Sequence, residues 1–511
     1  MSQHLSKSRY TSGLQCSKLL WWKVYEPDAP ELVADDASQA LFTRGQRIGE
    51  LARAYVPGGV LIDLPYYEFD LRVTATAKAL ADGAPVVYEA CFLEDGVFVA
   101  VDILERRDDG FVLVEVKSTL GVKEKHLADV AVQMHVVRRA GLTVNRAEVM
   151  HLNRDCTYPD LSNLFMREDV TERIGPALLN VPNEIASLAA ALTGPLPDVV
   201  TGPHCNTPYP CPFLGRCWPQ LPENHVSTLY RIHATKVVQL VADGINTLHD
   251  LPLDFTASAP ALRQIRSIRA GEVIVEEGLS EALAGLEPPI AYLDFETISP
   301  PVPAWLGCHP CEQVPVQFSC HVLGPDGLAH HEWLAEGPGD PREEFARAVI
   351  NACAGSKTVV AFGSPFERRC IGALADFLPQ LRADLVALTG RIRDLHLIVR
   401  DHVYHPGFGG SFSLKDVLPA LVPGLGYDDL EIQDGTTAST ALQALLLDAD
   451  ALGPEERRAI RRALLSYCER DTLAMVRLHE RLDVLTGLAP ATKELPIPGT
   501  PVQAIVAELP S

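Results

Sequence analysis

The stretch Ala291-Tyr-Leu-Asp-Phe-Glu-Thr297 constrains this chain more than any other. Tyr292, Asp294 and Glu296 alternate with Leu293, Phe295 and Thr297, the period-two pattern of a half-buried strand. Both carboxylates therefore point to one face. Two acids side by side on a strand face repel one another and resist desolvation, and a divalent cation removes that cost. Asp-x-Glu here is a metal-site candidate if further acids converge on it, and a pair of solvated acids otherwise.

A chain of 511 residues has room for about two to four domains. Its 47% hydrophobic and 22% charged content is that of an ordinary globular protein. No apolar run is long enough to span a bilayer, and the first residues lack an apolar signal core, so the expectation is a cytoplasmic protein with no membrane partner. A net charge of −22 disfavours unspecific wrapping by nucleic acid and leaves room for a local basic groove. The twelve cysteines do not form a secreted disulfide framework; in a reducing compartment they are core residues or metal or cluster ligands.

Residues 1–218 read as one α/β unit. Thr11 or Ser12 is a candidate N-cap for a short helix carrying Cys16, Leu19, Leu20 and Trp22, with further helices over Ser38–Tyr55 and Tyr67–Ala81. Three β-rich runs follow, 86–92, 97–104 and 111–118, separated by Asp-Gly turns. The third puts Glu115 and Lys117 on one face, and Asp102 is expected to end the second. Two acids can hold Mg²⁺ or Mn²⁺, and a lysine beside them can polarise an attacking water or steady phosphate charge. The alternative is a salt-bridge ladder. Further on, Cys205, Cys211 and Cys217 lie evenly spaced among prolines, on a segment too irregular for core packing, which suggests thiolate ligands with Cys16 as the fourth.

Residues 219–287 read as a helical connector, with helices over Val226–Ala242 and Pro260–Ala270 around an Asp-Gly-Ile turn. This pattern is similar to helix-hairpin-helix modules, and Arg263, Arg266 and Arg269 could form a basic face; a packing linker between domains is the competing reading.

Residues 288–486 read as a second α/β unit. Runs 314–323 and 330–334 suggest antiparallel strands beside 291–296, then a helix over 342–354 and a strand over 358–362. Glu367 falls in the first helical turn after that strand. Tyr467 and Asp471, four apart on a long helix over 455–485, share a face. Asp394 and Lys415 are secondary candidates, and either is readable equally as a helix cap or a surface charge. Cys308-His-Pro-Cys311 has no second pair at zinc-ribbon spacing and is read as non-metal. Residues 487–511 read as a Pro-rich tail.

Asp102, then Glu115-Val-Lys117, then a helix with Gln133, resembles the RecB-like PD-(D/E)xK nucleases, especially those of CRISPR adaptation. Departures are Val101 in place of proline and Val137 where a tyrosine is usual. That resemblance implies Asp102 and Glu115 as metal ligands, Lys117 and Gln133 as catalytic, and Cys16, Cys205, Cys211 and Cys217 as ligands of a [4Fe-4S] cluster, with Zn²⁺ as the alternative. Glu89 and Glu50 are possible further acids. The order Asp294-x-Glu296, Glu367, Tyr467-x-x-x-Asp471 resembles the DnaQ-like DEDD exonucleases, which have a ribonuclease-H-like fold. It implies Asp294, Glu296, Glu367 and Asp471 as ligands of two Mg²⁺ or Mn²⁺ ions and Tyr467 as the residue that positions water; Glu367 stands where Asp is usual. The whole chain resembles a bacterial family, largely uncharacterised, that fuses these two units, most closely over 294–315 and 427–439.

The function these resemblances imply is metal-dependent hydrolysis of DNA phosphodiester bonds, at single-stranded or 3′ ends, in repair or defence. The alternatives are a nucleic-acid-binding or scaffold protein with one or both sites inactive, or an exonuclease acting on RNA.

Overall fold

The computed structural model describes residues 5–33, 36–217 and 221–487, so the expected tail, beyond Gly487, lies outside the described residues. The architecture is mixed α/β with two large sheets. No described helix is long and apolar enough to cross a membrane.

The first sheet is built from β1 (Leu5–Ser6), β2 (Val60–Leu61), β3 (Val86–Glu94), β4 (Val97–Arg107), β5 (Gly110–Lys117), β6 (Val144–Leu152) and β7 (Phe165–Asp169). Its order is β2-β3-β4-β5-β6-β7, with β1 pairing parallel to the start of β4. The Asp-Gly turns make β3–β4–β5 an antiparallel meander, as the sequence suggests. Helices α1 (Lys7–Gln15), α2 (Ser17–Tyr25), α3 (Asp36–Tyr55), α4 (Phe69–Ala81), α5 (Glu124–Arg139) and α6 (Gly175–Thr193) accompany it. Valines and leucines of β3 to β6 pack against Val130, Val132, Val136 and Val137 of α5 and Val181, Ile185 and Leu188 of α6. Burial of such contiguous apolar surface is the main stabilising term.

Two expectations need correction here. The helix expected around Cys16 is two helices: Ser6, not Thr11 or Ser12, caps α1 by accepting from the Arg9 N–H, and Cys16 breaks the run with extended backbone (φ −164°, ψ 122°). Asp102 does not end its strand, because β4 continues to Arg107 and pairs with both neighbours there.

The connector has its own small core of Val226, Leu229, Leu240, Leu248, Leu251, Ile265 and Ile268. The expected helix 226–242 starts only at Ala234, after Arg231 adopts a left-handed φ of 55°. β8 (Ile274–Val275) then leads to the second unit. Arg263, Arg266 and Arg269 do not form a free basic face. Arg263 is 4% exposed, pairs with Glu276 at 2.9 Å and donates to the carbonyls of Arg400 and Asp401; Arg266 also pairs with Glu276, and Arg269 donates to the Leu251 carbonyl. Arg263 thus ties the connector to the second unit, while Arg266 and Arg269 bond within the connector.

The second sheet comprises β9 (Ile290–Ile298), β10 (Val314–Gly324), β11 (Gly327–Leu334), β12 (Thr358–Ala361) and β13 (Ile392–Asp394), in the order β11-β10-β9-β12-β13. β9 to β11 form an antiparallel meander, while β12 runs parallel to β9 and β13 parallel to β12. β14 (Val403–Tyr404) pairs with β8. The last helix, Pro454–Thr486, lies across β9 and β10 and buries Leu464, Cys468, Met475, Leu478 and Leu482. The two units touch. Tyr158 N–H donates to the Cys308 carbonyl at 3.0 Å, Gly307 N–H returns a bond to Tyr158 at 2.9 Å, and Arg47 pairs with Asp448. The Cys308–Cys311 segment is thus part of a domain junction.

Candidate metal centres

In the second unit, alternation along β9 turns Asp294 and Glu296 to one face, opposite Ser319 and Gln317 of β10. The last helix brings Asp471 over that face. Donor oxygens of Asp294, Glu296 and Asp471 all lie within 4.8 Å of one another. Glu367, in the first turn of helix Pro365–Phe377, is 3% exposed, and its Oε2 has no hydrogen-bond partner. It stands outside the 4.8 Å set yet close enough for its charge to act on Asp294.

Packing acids together in a dry place makes each resist ionisation. Burial, then the charges of Asp471, Glu296 and Glu367, push Asp294 well above the ordinary carboxylate range. Burial and Asp471 raise Glu296 to about 8. Burial raises Glu367 to about 7. Asp471 rises to about 6 through burial, held back by hydrogen bonds from Tyr427 and Tyr467 and by Lys415. The Tyr427 hydroxyl donates to Asp471 Oδ1 at 2.5 Å. The Lys415 ammonium lies 5.3 Å from both tyrosine ring centroids and donates to the Gln433 carbonyl. The donor set is all oxygen, crowded, buried and charge-deficient, which fits hard divalent cations.

Of the secondary candidates, Asp394 caps the helix Leu395–His402 and accepts from the Gly363 and Ser364 N–H groups, a structural use. Lys415 belongs to the site. Tyr427 was missed as a site residue by sequence reasoning, although it opens a stretch singled out there.

In the first unit, register rather than helix geometry assembles the acids. Tyr88 pairs with Ile103 and Ala90 with Val101, placing Glu89 opposite Asp102; Ile103 pairs with Val114, placing Asp102 opposite Glu115. Glu89, Asp102 and Glu115 form one cross-strand row. Glu89 holds this place with a left-handed φ of 55°. The row floors a cleft of about 570 Å³ that also takes Glu50, Arg53 and Lys117.

Lys117 Nζ bonds Glu115 Oε1 at 2.7 Å and Asp129 at 2.8 Å, and Gln133 Nε2 bonds Glu115 Oε2 at 2.7 Å. Lys7 was not foreseen. β1 lays its chain beside β4, and the next residue reaches Glu115 at 2.8 and 3.1 Å. Burial opposes the charge on Glu115, but the two lysines overcome it and hold the carboxyl far below its ordinary value. Asp102, which accepts from the Val116 N–H at 2.6 Å, is pushed up to about 7 by burial and by Glu115.

Cys16, at the α1–α2 break, meets Cys205, Cys211 and Cys217 beside Trp22 and Phe213. The Cys211 N–H bonds the Cys205 carbonyl at 2.8 Å, and the Gly202 N–H points at Cys205 Sγ at 3.4 Å. Burial raises the Cys211 and Cys217 thiols.

Residues 291–413 match a family model described as a domain of unknown function (DUF2779). The match includes Asp294, Glu296 and Glu367 and ends before Tyr427, Tyr467 and Asp471. No curated protein matches the chain.

Proposed function

We propose that the chain is a cytoplasmic, divalent-metal-dependent nuclease that hydrolyses phosphodiester bonds of DNA at single-stranded or 3′ ends, in repair or defence. The observation that carries this reading is the convergence of Asp294, Glu296 and Asp471 within 4.8 Å, with buried Glu367 close enough for its charge to act on Asp294. In this reading the second unit is DnaQ-like with a ribonuclease-H-like fold, and the first is RecB-like.

Asp294, Glu296, Asp471 and Glu367 would hold Mg²⁺ or Mn²⁺, which supply charge neutralisation and stabilise attacking and leaving oxygens. The chain's own residues prepare that state. Tyr427 fixes the carboxylate plane of Asp471. Tyr467, whose hydroxyl burial keeps protonated, hydrogen-bonds Asp471 and would orient water through its remaining lone pair. Lys415 offsets part of the negative charge beside Glu296 and Asp471. In the first unit, Asp102 and Glu115 would hold a cation, with Lys117 and Gln133 as its catalytic neighbours. Cys16, Cys205, Cys211 and Cys217, gathered beside Trp22 and Phe213, would hold a [4Fe-4S] cluster, with Zn²⁺ as the alternative.

A second reading has one specific observation behind it. Both Glu115 oxygens are already engaged, by Lys7, Lys117 and Gln133. This favours a first unit that binds nucleic acid without cutting, leaving chemistry to the carboxylates of the second. The test is cleavage of end-labelled single-stranded DNA and RNA with Mn²⁺ by the wild type, Lys117→Ala and Asp294→Ala. Loss in Asp294→Ala alone supports the second reading, loss in Lys117→Ala alone moves the chemistry to the first unit, and no cleavage of either polymer removes the nuclease reading.

A further inference from the structure

Beside the carboxylate centre lies a donor set of a different chemistry. His321 on β10 and His330 on β11 are direct cross-strand partners. Their rings stack with centroids 4.4 Å apart and planes 25° apart. Glu469, on the last helix, places Oε1 3.8 Å from His330 Nδ1. Donor atoms of the three residues all lie within 4.8 Å of one another.

What separates this set from a chance meeting is how the rings are held. His321 Nδ1 is bonded to the Thr472 hydroxyl at 2.8 Å, and His330 Nε2 to the Ser319 hydroxyl at 2.9 Å. The two hydroxyls bond each other at 2.7 Å. Each imidazole therefore has one nitrogen fixed by a buried partner, and the other nitrogen of His330 is the one nearest Glu469. Metal-binding histidines are oriented in this way, with the far nitrogen hydrogen-bonded to a second group. Arg477, a nearby cation, is engaged by Glu480 at 2.9 Å. His330 and Glu469 are half-buried, which opens the set to solvent.

We propose that His321, His330 and Glu469 bind a borderline divalent transition-metal ion of the zinc type, at a site distinct from the all-oxygen centre of Asp294, Glu296 and Asp471. Two imidazoles and one carboxylate suit such an ion, whereas Mg²⁺ selects oxygen ligands. Three protein donors leave a coordination position open. The ion ties β10 and β11 to the helix that carries Tyr467 and Asp471. Its role is positioning: Thr472, which orients His321, directly follows Asp471, and Ser319 pairs with Asp294 across the strands.

The test titrates the metal-stripped full chain with Co²⁺, in the wild type, His330→Ala and Glu469→Gln. Both substituted residues are half-buried, and unfolding curves of the metal-free variants check that the fold is kept. The wild type is expected to bind one more Co²⁺ than either variant by equilibrium dialysis. The difference spectrum should show visible cobalt bands without thiolate charge transfer. Zn²⁺ should displace this Co²⁺ and raise the melting temperature of the wild type above that of the variants, and excess Mg²⁺ should do neither. Equal stoichiometry in all three proteins overturns the proposal. So does a difference spectrum with thiolate character, or one that disappears in Asp294→Asn with His330 intact, since either assigns the ion to another set.

Discussion

The Tyr427 hydroxyl donates to Asp471 Oδ1 at 2.5 Å, joining a loop residue to a carboxylate on the last helix. Tyr427 is 7% exposed, and burial together with Asp471 raises its pKa far above the ordinary value, so it remains a donor across the physiological range. Removing that donor frees the acid to rotate. Tyr427→Phe should keep the fold and weaken Mn²⁺ binding about 10- to 100-fold, the usual cost of losing an outer partner of a ligand. Calorimetric titration with Mn²⁺ checks this; unchanged affinity would show that Asp471 is held without the Tyr427 hydroxyl.

Lys7 competes with any cation for Glu115. It bonds both carboxylate oxygens, while Lys117 and Gln133 take one each. Lys7→Met should therefore tighten Mn²⁺ binding at the first cleft several-fold. Measured in an Asp294→Asn background, so that the other centre is silent, the change reports on this site. Weaker binding would mean that Lys7 organises the row of acids instead of blocking it.

Arg167 is clamped between two buried carboxylates, Glu105 and Glu148, each at 2.5 Å. Burial alone would push Glu105 up, but its bonds to Arg167 and Arg107 hold it below the ordinary value. Arg167→Met leaves Glu105 to Arg107 and Glu148 to Arg146 alone, and should cost about 1–3 kcal/mol in chemical denaturation. The pH dependence has a fixed sign. A depressed carboxyl contributes stability above its unfolded value of about 4.5 and loses it as pH falls through the folded value. The stability gap between wild type and Glu105→Gln should therefore shrink below about pH 4.5.

Cys16 joins the start of the first unit to its end at Cys205, Cys211 and Cys217. If the four hold a cluster, Cys16→Ser should lower bound iron in anaerobically purified protein and reduce the melting temperature, because ligand binding is folding energy. Cys308→Ser, at the domain junction, should leave iron content unchanged. Equal iron in wild type and Cys16→Ser would remove Cys16 from the set.

Local patterns made much of this legible. The strand β9, its two acids and the meanders of both sheets follow from alternation and Asp-Gly turns. Glu115 and Lys117 lie on one face as their spacing requires. What escaped depends on tertiary placement. Lys7 reaches Glu115 only because β1 joins the sheet out of sequence order. The histidine pair exists only through the β10–β11 register, nine positions apart along the chain with a Gly-Pro-Asp-Gly turn between them. The arginines of the connector look like a basic face by spacing, yet Arg263 is buried and all three are claimed by Glu276 or backbone carbonyls. Charge periodicity does not tell a solvated face from a packed one.

The most direct test of the central reading is the rate of nucleotide release from 5′-labelled single-stranded DNA by the full chain with Mn²⁺, comparing the wild type with Asp294→Asn. Progressive shortening from the 3′ end, reduced at least 1000-fold in a folded Asp294→Asn protein, is expected if the buried carboxylates carry the chemistry. Equal shortening by both proteins would contradict it.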